Sequence, residues 1–179
     1  GQLTMGVPLV LNGSVSVTDT DFRDVYIQGT ASPISGTRIG DRRGNSGITF
    51  NAPKTSYWVT AAGGSWSGNN WSNSAGGAAA EQYFPLPQDK VIFDNSTDAS
   101  LTINLVDLCV KDFDASSRTK NTFLNITSPM FIGGNLSFSS TCSFTSTSGT
   151  TSFGSPNYPY NSIVFTGNST QNVRMNGTS

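Results

Sequence analysis

Short apolar clusters recur along the whole chain: Leu9-Val10-Leu11, Val15-Ser16-Val17, Val25-Tyr26-Ile27, Ile48-Thr49-Phe50, Val91-Ile92-Phe93, Leu101-Thr102-Ile103, Phe123-Leu124-Asn125-Ile126, Leu136-Ser137-Phe138 and Ile163-Val164-Phe165. Between them lie Ser, Thr, Asn and Gly. Apolar residues that alternate with polar ones over so few positions predict short β strands joined by turns, not amphipathic helices. A helical turn is expected only at Ala78-Ala79-Ala80-Glu81-Gln82, and Pro85 and Pro87 close it off because proline cannot continue a helix.

The texture shifts along the chain. From Pro8 to Phe50 there are three or four strand signals around a Gly-rich stretch, Gly36 to Gly47. That stretch predicts repeated turns, since glycine accepts positive φ without a Cβ clash. Thr55-Ser56-Tyr57-Trp58-Val59-Thr60 reads as a strand of aromatic and β-branched residues. Residues 61–87 carry two Trp and several Gly and predict a long excursion from the strand framework, pinned by its own aromatics. After Pro87 the apolar clusters return about every 10 to 12 residues, a rhythm that suits sandwiches, barrels or solenoid coils.

Two features favour the solenoid. The strands are very short, so each lends only two or three inward side chains and stacked coils must supply the rest of the core. There is also a loose echo between Asp21-Phe22-Arg23-Asp24-Val25 and Lys111-Asp112-Phe113-Asp114-Ala115. The expected fold is all-β, a right-handed parallel β-solenoid (β-helix) segment with one Trp/Gly-rich excursion. A β-sandwich or jelly roll is the alternative. Residues 1–56 are expected to form N-terminal coils continuing from an upstream region, 57–87 the excursion, and 88–179 a regular solenoid continuing beyond the segment. The chain is read as a processed product or part of a longer polypeptide. The expected inward rungs are Val25, Ile27, Val91, Phe93, Ile103, Phe113, Ile126, Phe138 and Phe165.

Composition narrows the chemistry. About a quarter of the residues are Ser or Thr, 12% are charged, His is absent and the net charge is −1. A chain so nearly neutral lacks the basic footprint of a nucleic-acid binder. It has no run of about 18 apolar residues to insert in a membrane, and its first residues do not read as a signal peptide. Cys109 and Cys142 sit in alternating apolar stretches and are expected to be two core thiols, with a bridge as the alternative. Without His there is no base to activate a thiolate.

The acids are ten Asp and Glu81. Asp112 and Asp114 share one strand face, and Asp19, Asp21 and Asp24 form a second cluster. Acid–base work would need such carboxylates to converge on a groove, whereas scattered Asp more commonly cap turns and strand ends. The Asp19–Asp24 run has alternating acids like a calcium loop but lacks the glycine and terminal Glu of an EF-hand. The Gly36–Gly47 stretch has no Gly-Lys-Ser/Thr ending, so no phosphate cradle is expected. Arg38, Arg42 and Arg43 are expected to pair with neighbouring acids or a partner chain. No catalytic residue, cofactor site or metal site is expected. Trp66 and Trp71, with Tyr57 and Trp58, form either a sugar-stacking platform or a local core that holds the excursion down. Seven Asn-X-Ser/Thr sequons, from Asn12 to Asn176, are read as a consequence of composition.

Tyr57, Trp58, Val59, Gly63, Gly64, Trp66, Trp71, Ser72, Gly76, Gly77, Pro87, Asp89, Val91, Ile92, Phe93 and Asp94 together make a pattern. It resembles a segment recurring in phage tail-fibre-like and bacterial surface β-helix proteins. Cys109, Asp112 and Phe113, and the run Phe165 to Val173, continue the likeness; Asn70 stands where such segments often carry His. The resemblance implies a β-helix and a virion or cell-surface setting, and it transfers no catalytic residue. The expected function is a non-enzymatic structural protein of a virus particle, a phage fibre, spike or tail-associated component located in the virion with contact to a host surface. Its expected partners are other virion proteins, further copies of itself (a homotrimer is plausible from the rows of Ser, Thr and Asn), and a host glycan at Trp66 and Trp71. A glycan-binding bacterial adhesin module and a polysaccharide-degrading β-helix are the alternatives.

Overall fold

The computed structural model describes residues 8–61, 63–105, 108–126, 130–146, 151–153 and 163–165. The chain forms a β-solenoid of about six turns, nearly all-β, with no α-helix among the described residues. The N-terminal coils contain β1 (Leu9–Val10), β2 (Val17–Phe22), β3 (Ile27–Gln28), β4 (Ile34–Asp41) and β5 (Ile48–Thr49). The aromatic region contains β6 (Thr55–Trp58), β7 (Gly64–Ser65), β8 (Trp71–Ser72) and a single 3-10 turn at Glu81–Tyr83. It leads into β9 (Lys90–Ile92). The regular coils follow with β10 (Leu101–Leu105), β11 (Cys109–Val110), β12 (Asp112–Ala115), β13 (Thr122–Ile126), β14 (Met130–Ile132), β15 (Leu136–Phe138), β16 (Cys142–Ser146), β17 (Thr151–Phe153) and β18 (Ile163–Phe165).

Three parallel sheets run along the regular part. One contains β6, β9, β12, β15 and β18, with β8 added antiparallel to β6; the second contains β7, β10, β13 and β16; the third contains β11, β14 and β17. Passing from β12 through β13 and β14 to β15 visits each sheet once and returns to the first. Phe113 then lies beside Leu136, one coil on. Every pairing among the described residues is parallel except that of β6 with β8. A sandwich or jelly roll, built from antiparallel hairpins, is therefore not this fold. β2, β4 and β5 make a parallel sheet of their own, and β1 pairs with β3.

Period-2 alternation places the core. Val91, Phe113 and Leu136 are in register on successive coils and 0–2% exposed, with Phe93, Ala115 and Phe138 at the next inward position. On the second sheet Leu101, Ile103 and Leu105 point in, while Thr102 and Asn104 point out. Aromatic rings continue the stack: Phe93 lies over Phe113 at 5.0 Å and Trp58 over Phe93 at 5.6 Å. Of the expected rungs, Ile27, Val91, Phe93, Ile103, Phe113 and Phe138 are buried and Val25 is half-buried. The side chains of Ile126 and Phe165 lie outside the described residues.

Two local expectations are corrected. The stretch Gly36 to Gly47, expected to turn throughout, contains β4, the longest strand described. Gly36 and Gly40 lie within it because a Cβ would strike the Val17 carbonyl at one and the Asp21 carboxylate and Pro87 at the other. Close backbone approach, not turning, is what these glycines provide. Positive φ falls on neither of them: within the stretch it occurs at Arg38, inside the strand, and at Arg43, Gly44 and Gly47, after it. The helical turn expected at 78–82 is the three-residue 3-10 turn at Glu81–Tyr83.

Candidate binding groove

β2 and β4 carry the same distortion one above the other. Thr18 pairs with Thr37 and Thr20 with Ile39, which leaves Asp19 and Arg38 outside the ladder. Both have φ of 51°, in the left-handed region. Asp tolerates this region by local hydrogen bonding; Arg rarely adopts it. The two strands kink together, and the kinked residues pair. Arg38 Nη2 donates to Asp19 Oδ2 at 2.7 Å and to Glu81 Oε1 of the 3-10 turn at 2.9 Å. The Arg38 hydrogen bond outweighs burial and holds the Asp19 carboxyl below its ordinary range, and the same bond raises Arg38. Arg38 Nη1 makes no hydrogen bond to any described residue.

Across from this triad stands the turn Ser67-Gly68-Asn69. It is tied down by Gly68 N–H to Ser65 O (3.1 Å), Asn70 N–H to Gly68 O (2.9 Å) and the Asn70 amide to Ser65 O (2.9 Å). Asn70 also accepts from the Thr60 hydroxyl at 2.7 Å. A Cβ at Gly68 would displace the Asn70 amide nitrogen from its place in the turn. Between triad and turn lies a groove of about 440 Å³, lined by Asp19, Arg38, Ser67, Gly68, Asn69, Trp71, Ala80, Glu81 and Phe84. Ala80 and Phe84 are half-buried and form its apolar wall.

The candidate ligand residues Trp66 and Trp71 are 2% and 0% exposed. Their rings meet edge to face at 4.7 Å, Trp71 meets Trp58 at 5.2 Å, and Trp71 Nε1–H donates to Trp66 O at 3.2 Å. Neither indole offers an open face for a sugar to stack on. They extend the phenyl ladder into the excursion and bury the apolar area that a polar loop otherwise lacks. Trp71 contributes to the groove only from beneath its floor.

The remaining acids are held individually. Asp112 and Asp114 do share the outer face of β12, but Asp112 accepts from Asn135 N–H at 2.7 Å, and Asp114 accepts from Lys90 Nζ at 2.8 Å and Ser116 Oγ at 2.7 Å. Burial pushes the Asp114 carboxyl up, and the Lys90 and Ser116 bonds more than offset it, so the net shift is downward. In the calcium-like run Asp19 faces Arg38, Asp21 faces Arg42 at 2.9 Å and Asp24 faces Arg23 at 3.3 Å. Each carboxylate there has an arginine for its counter-ion. Cys109 and Cys142 are free thiols, and burial pushes both pKa values up, which keeps them protonated and unreactive.

Four residues tie the coils together through hydrogen bonds that alternation does not predict, Asp89 among them although it stands in the Trp/Gly pattern. Arg118 is 1% exposed and donates to Asp94 O (2.6 Å), Thr97 O (2.7 Å), Ala99 O and Thr122 Oγ1 (2.9 Å), filling the corner of the preceding coil. Asp89 is fully buried and accepts from Lys54 N–H (2.9 Å), Leu86 N–H (2.8 Å) and the Lys54 ammonium, joining the two ends of the excursion. Gln88 bonds Asp41 N–H, Ile39 O and Asn51 O and fastens that joint to the N-terminal coils. Asn95 bridges coils through Thr119 N–H and Ser117 O, as Asn12 does through Thr30 N–H. The spacing of Asn12 to Thr30 and Asn95 to Thr119, near one coil length, was the available clue.

No family model, curated protein or solved structure matches the chain.

Proposed function

We propose that this chain is a non-enzymatic structural segment of a surface fibre or spike on a virus particle, of the phage tail-associated kind. One observation supports the reading most. The pattern that carries the resemblance is spent on architecture: Trp58, Trp66, Trp71, Val91 and Phe93 are buried in one core, and Asp89 joins the ends of the excursion. Asp94 caps its own turn through Ser96 N–H at 2.8 Å. The paired acids on the coil faces add to it, since carboxylates bonded to lysine, arginine and backbone amides are poorly placed to exchange protons with a substrate. A parallel solenoid suits a fibre because each coil needs only its neighbours to complete a core and the rod lengthens by repetition. Further copies of the chain and other virion proteins are the partners this role calls for.

Mass spectrometry and immunogold labelling of purified particles test the setting. The proposal expects the chain in the particle, on a projecting structure; particles that contain no trace of it contradict the proposal. Against the polysaccharide-degrading alternative, Asp112→Asn and Asp114→Asn are expected to leave any measured depolymerisation unchanged.

A further inference from the structure

We infer that the groove between the kinked β2–β4 pair and the Ser67-Gly68-Asn69 turn binds a neutral saccharide. The volume of about 440 Å³ lies in the range of small-ligand sites and suits a mono- or disaccharide. Its polar groups are mixed in a way that matches hydroxyls. Asp19 and Glu81 supply acceptors, Arg38 Nη1 supplies unused donors, and the exposed Asn69 amide, which makes no hydrogen bond to a described residue, supplies one of each. A hydroxyl both donates and accepts, so vicinal hydroxyls can bridge an acceptor and a donor without leaving a charge unpaired. The half-buried ring of Phe84 offers an apolar wall for the C–H face of a pyranose.

Charge argues against other ligands of that size. Two carboxylates surround one guanidinium, so an added phosphate, sulfate or carboxylate meets a net negative rim, and Arg38 is already engaged by both acids. A small cation would have to sit beside the Arg38 guanidinium, which both carboxylates already bond. The site is also preorganised: the turn is held by backbone and Asn70 bonds, and the Asp19–Arg38 pair by stacked kinks in adjacent strands. Preorganisation lowers the entropic cost of binding. The inference rests on the groove alone and not on the fibre setting.

Saturation-transfer NMR and titration of tryptophan fluorescence with glucose, galactose, mannose, N-acetylglucosamine, lactose and maltose test it, with glucuronate and glucose 6-phosphate as charged controls. At least one neutral sugar is expected to bind with millimolar affinity, more tightly than either charged analogue. Asn69→Ala and Glu81→Gln, both at exposed positions, are each expected to weaken it by about fivefold to tenfold with the melting temperature unchanged. Absence of binding by every neutral sugar up to about 50 mM, tighter binding of an anionic analogue, or binding untouched by both variants overturns the inference.

Discussion

Arg118 shows how a charged side chain can serve as scaffold. Its guanidinium is buried with its donors directed at carbonyls of the 94–99 corner and at Thr122 Oγ1. Burial pulls its pKa down, but a guanidinium remains protonated at neutral pH. Arg118→Ala leaves several buried carbonyls without partners and is expected to cost at least about 3 kcal/mol, measured by urea unfolding. Arg118→Lys, lacking the planar fork, is expected to recover only part of this. A loss below about 1 kcal/mol for the alanine variant would mean that the corner holds without it.

Asp114 gives a pH signature at the same scale. Its carboxyl is lowered below its ordinary value of 3.8 in the folded chain, so the unfolded chain binds the proton more readily. Stability from this group is present above about pH 4 and falls as the pH drops through the lowered folded value. The pair with Lys90 is partly exposed, so the effect is expected to stay below about 1 kcal/mol. Asp114→Asn should flatten that part of the acid-unfolding curve and leave the neutral end nearly as it was, apart from the loss of the Lys90 contact. An unchanged acid limb in the variant would place the titration elsewhere.

At the scale of the element, the joint formed by Gln88 and Asp89 decides whether the excursion stays docked. Asp89→Ala removes the acceptor for Leu86 N–H, Lys54 N–H and the Lys54 ammonium, and is expected to cost about 3 kcal/mol. It should also admit protease cleavage within residues 61–87 before cleavage in the regular coils. Uniform resistance across both regions would show that the aromatic core alone holds the excursion.

Elements were legible where one side chain in two faces the core. Ile27, Val91, Phe93, Ile103, Phe113 and Phe138 could be placed from alternation alone, because a strand's period is fixed by backbone geometry. β4 was not legible, since its glycines resemble turn residues until the carbonyl of Val17 and the carboxylate of Asp21 are known to press against them. The groove was hidden for a related reason. Asp19 stands out in sequence within an acidic cluster and Arg38 within a basic spot expected to meet acids or a partner chain, but these two become neighbours only when coils stack, and Glu81 reaches them across forty-three residues. The conspicuous tryptophans left a sugar platform and a local core both open in sequence, and their burial makes them the core that pins the excursion.

The whole molecule depends on successive coils being parallel and in register. If Val91, Phe113 and Leu136 lie on one inward ladder, and Asn104 and Asn125 on one outward ladder with amides 3.2 Å apart, then neighbouring strands are about 4.8 Å apart throughout. Inter-strand nuclear Overhauser contacts on isotope-labelled protein test this most directly. Parallel stacking predicts backbone contacts linking residues 91, 113 and 136, and likewise 103 and 124, at a spacing near one coil, with none of the close Hα–Hα pairs that antiparallel strands produce outside β6–β8. A network of such Hα–Hα contacts between sequence-adjacent strands, joined by hairpins, would contradict the solenoid and with it the rod on which the proposed role rests.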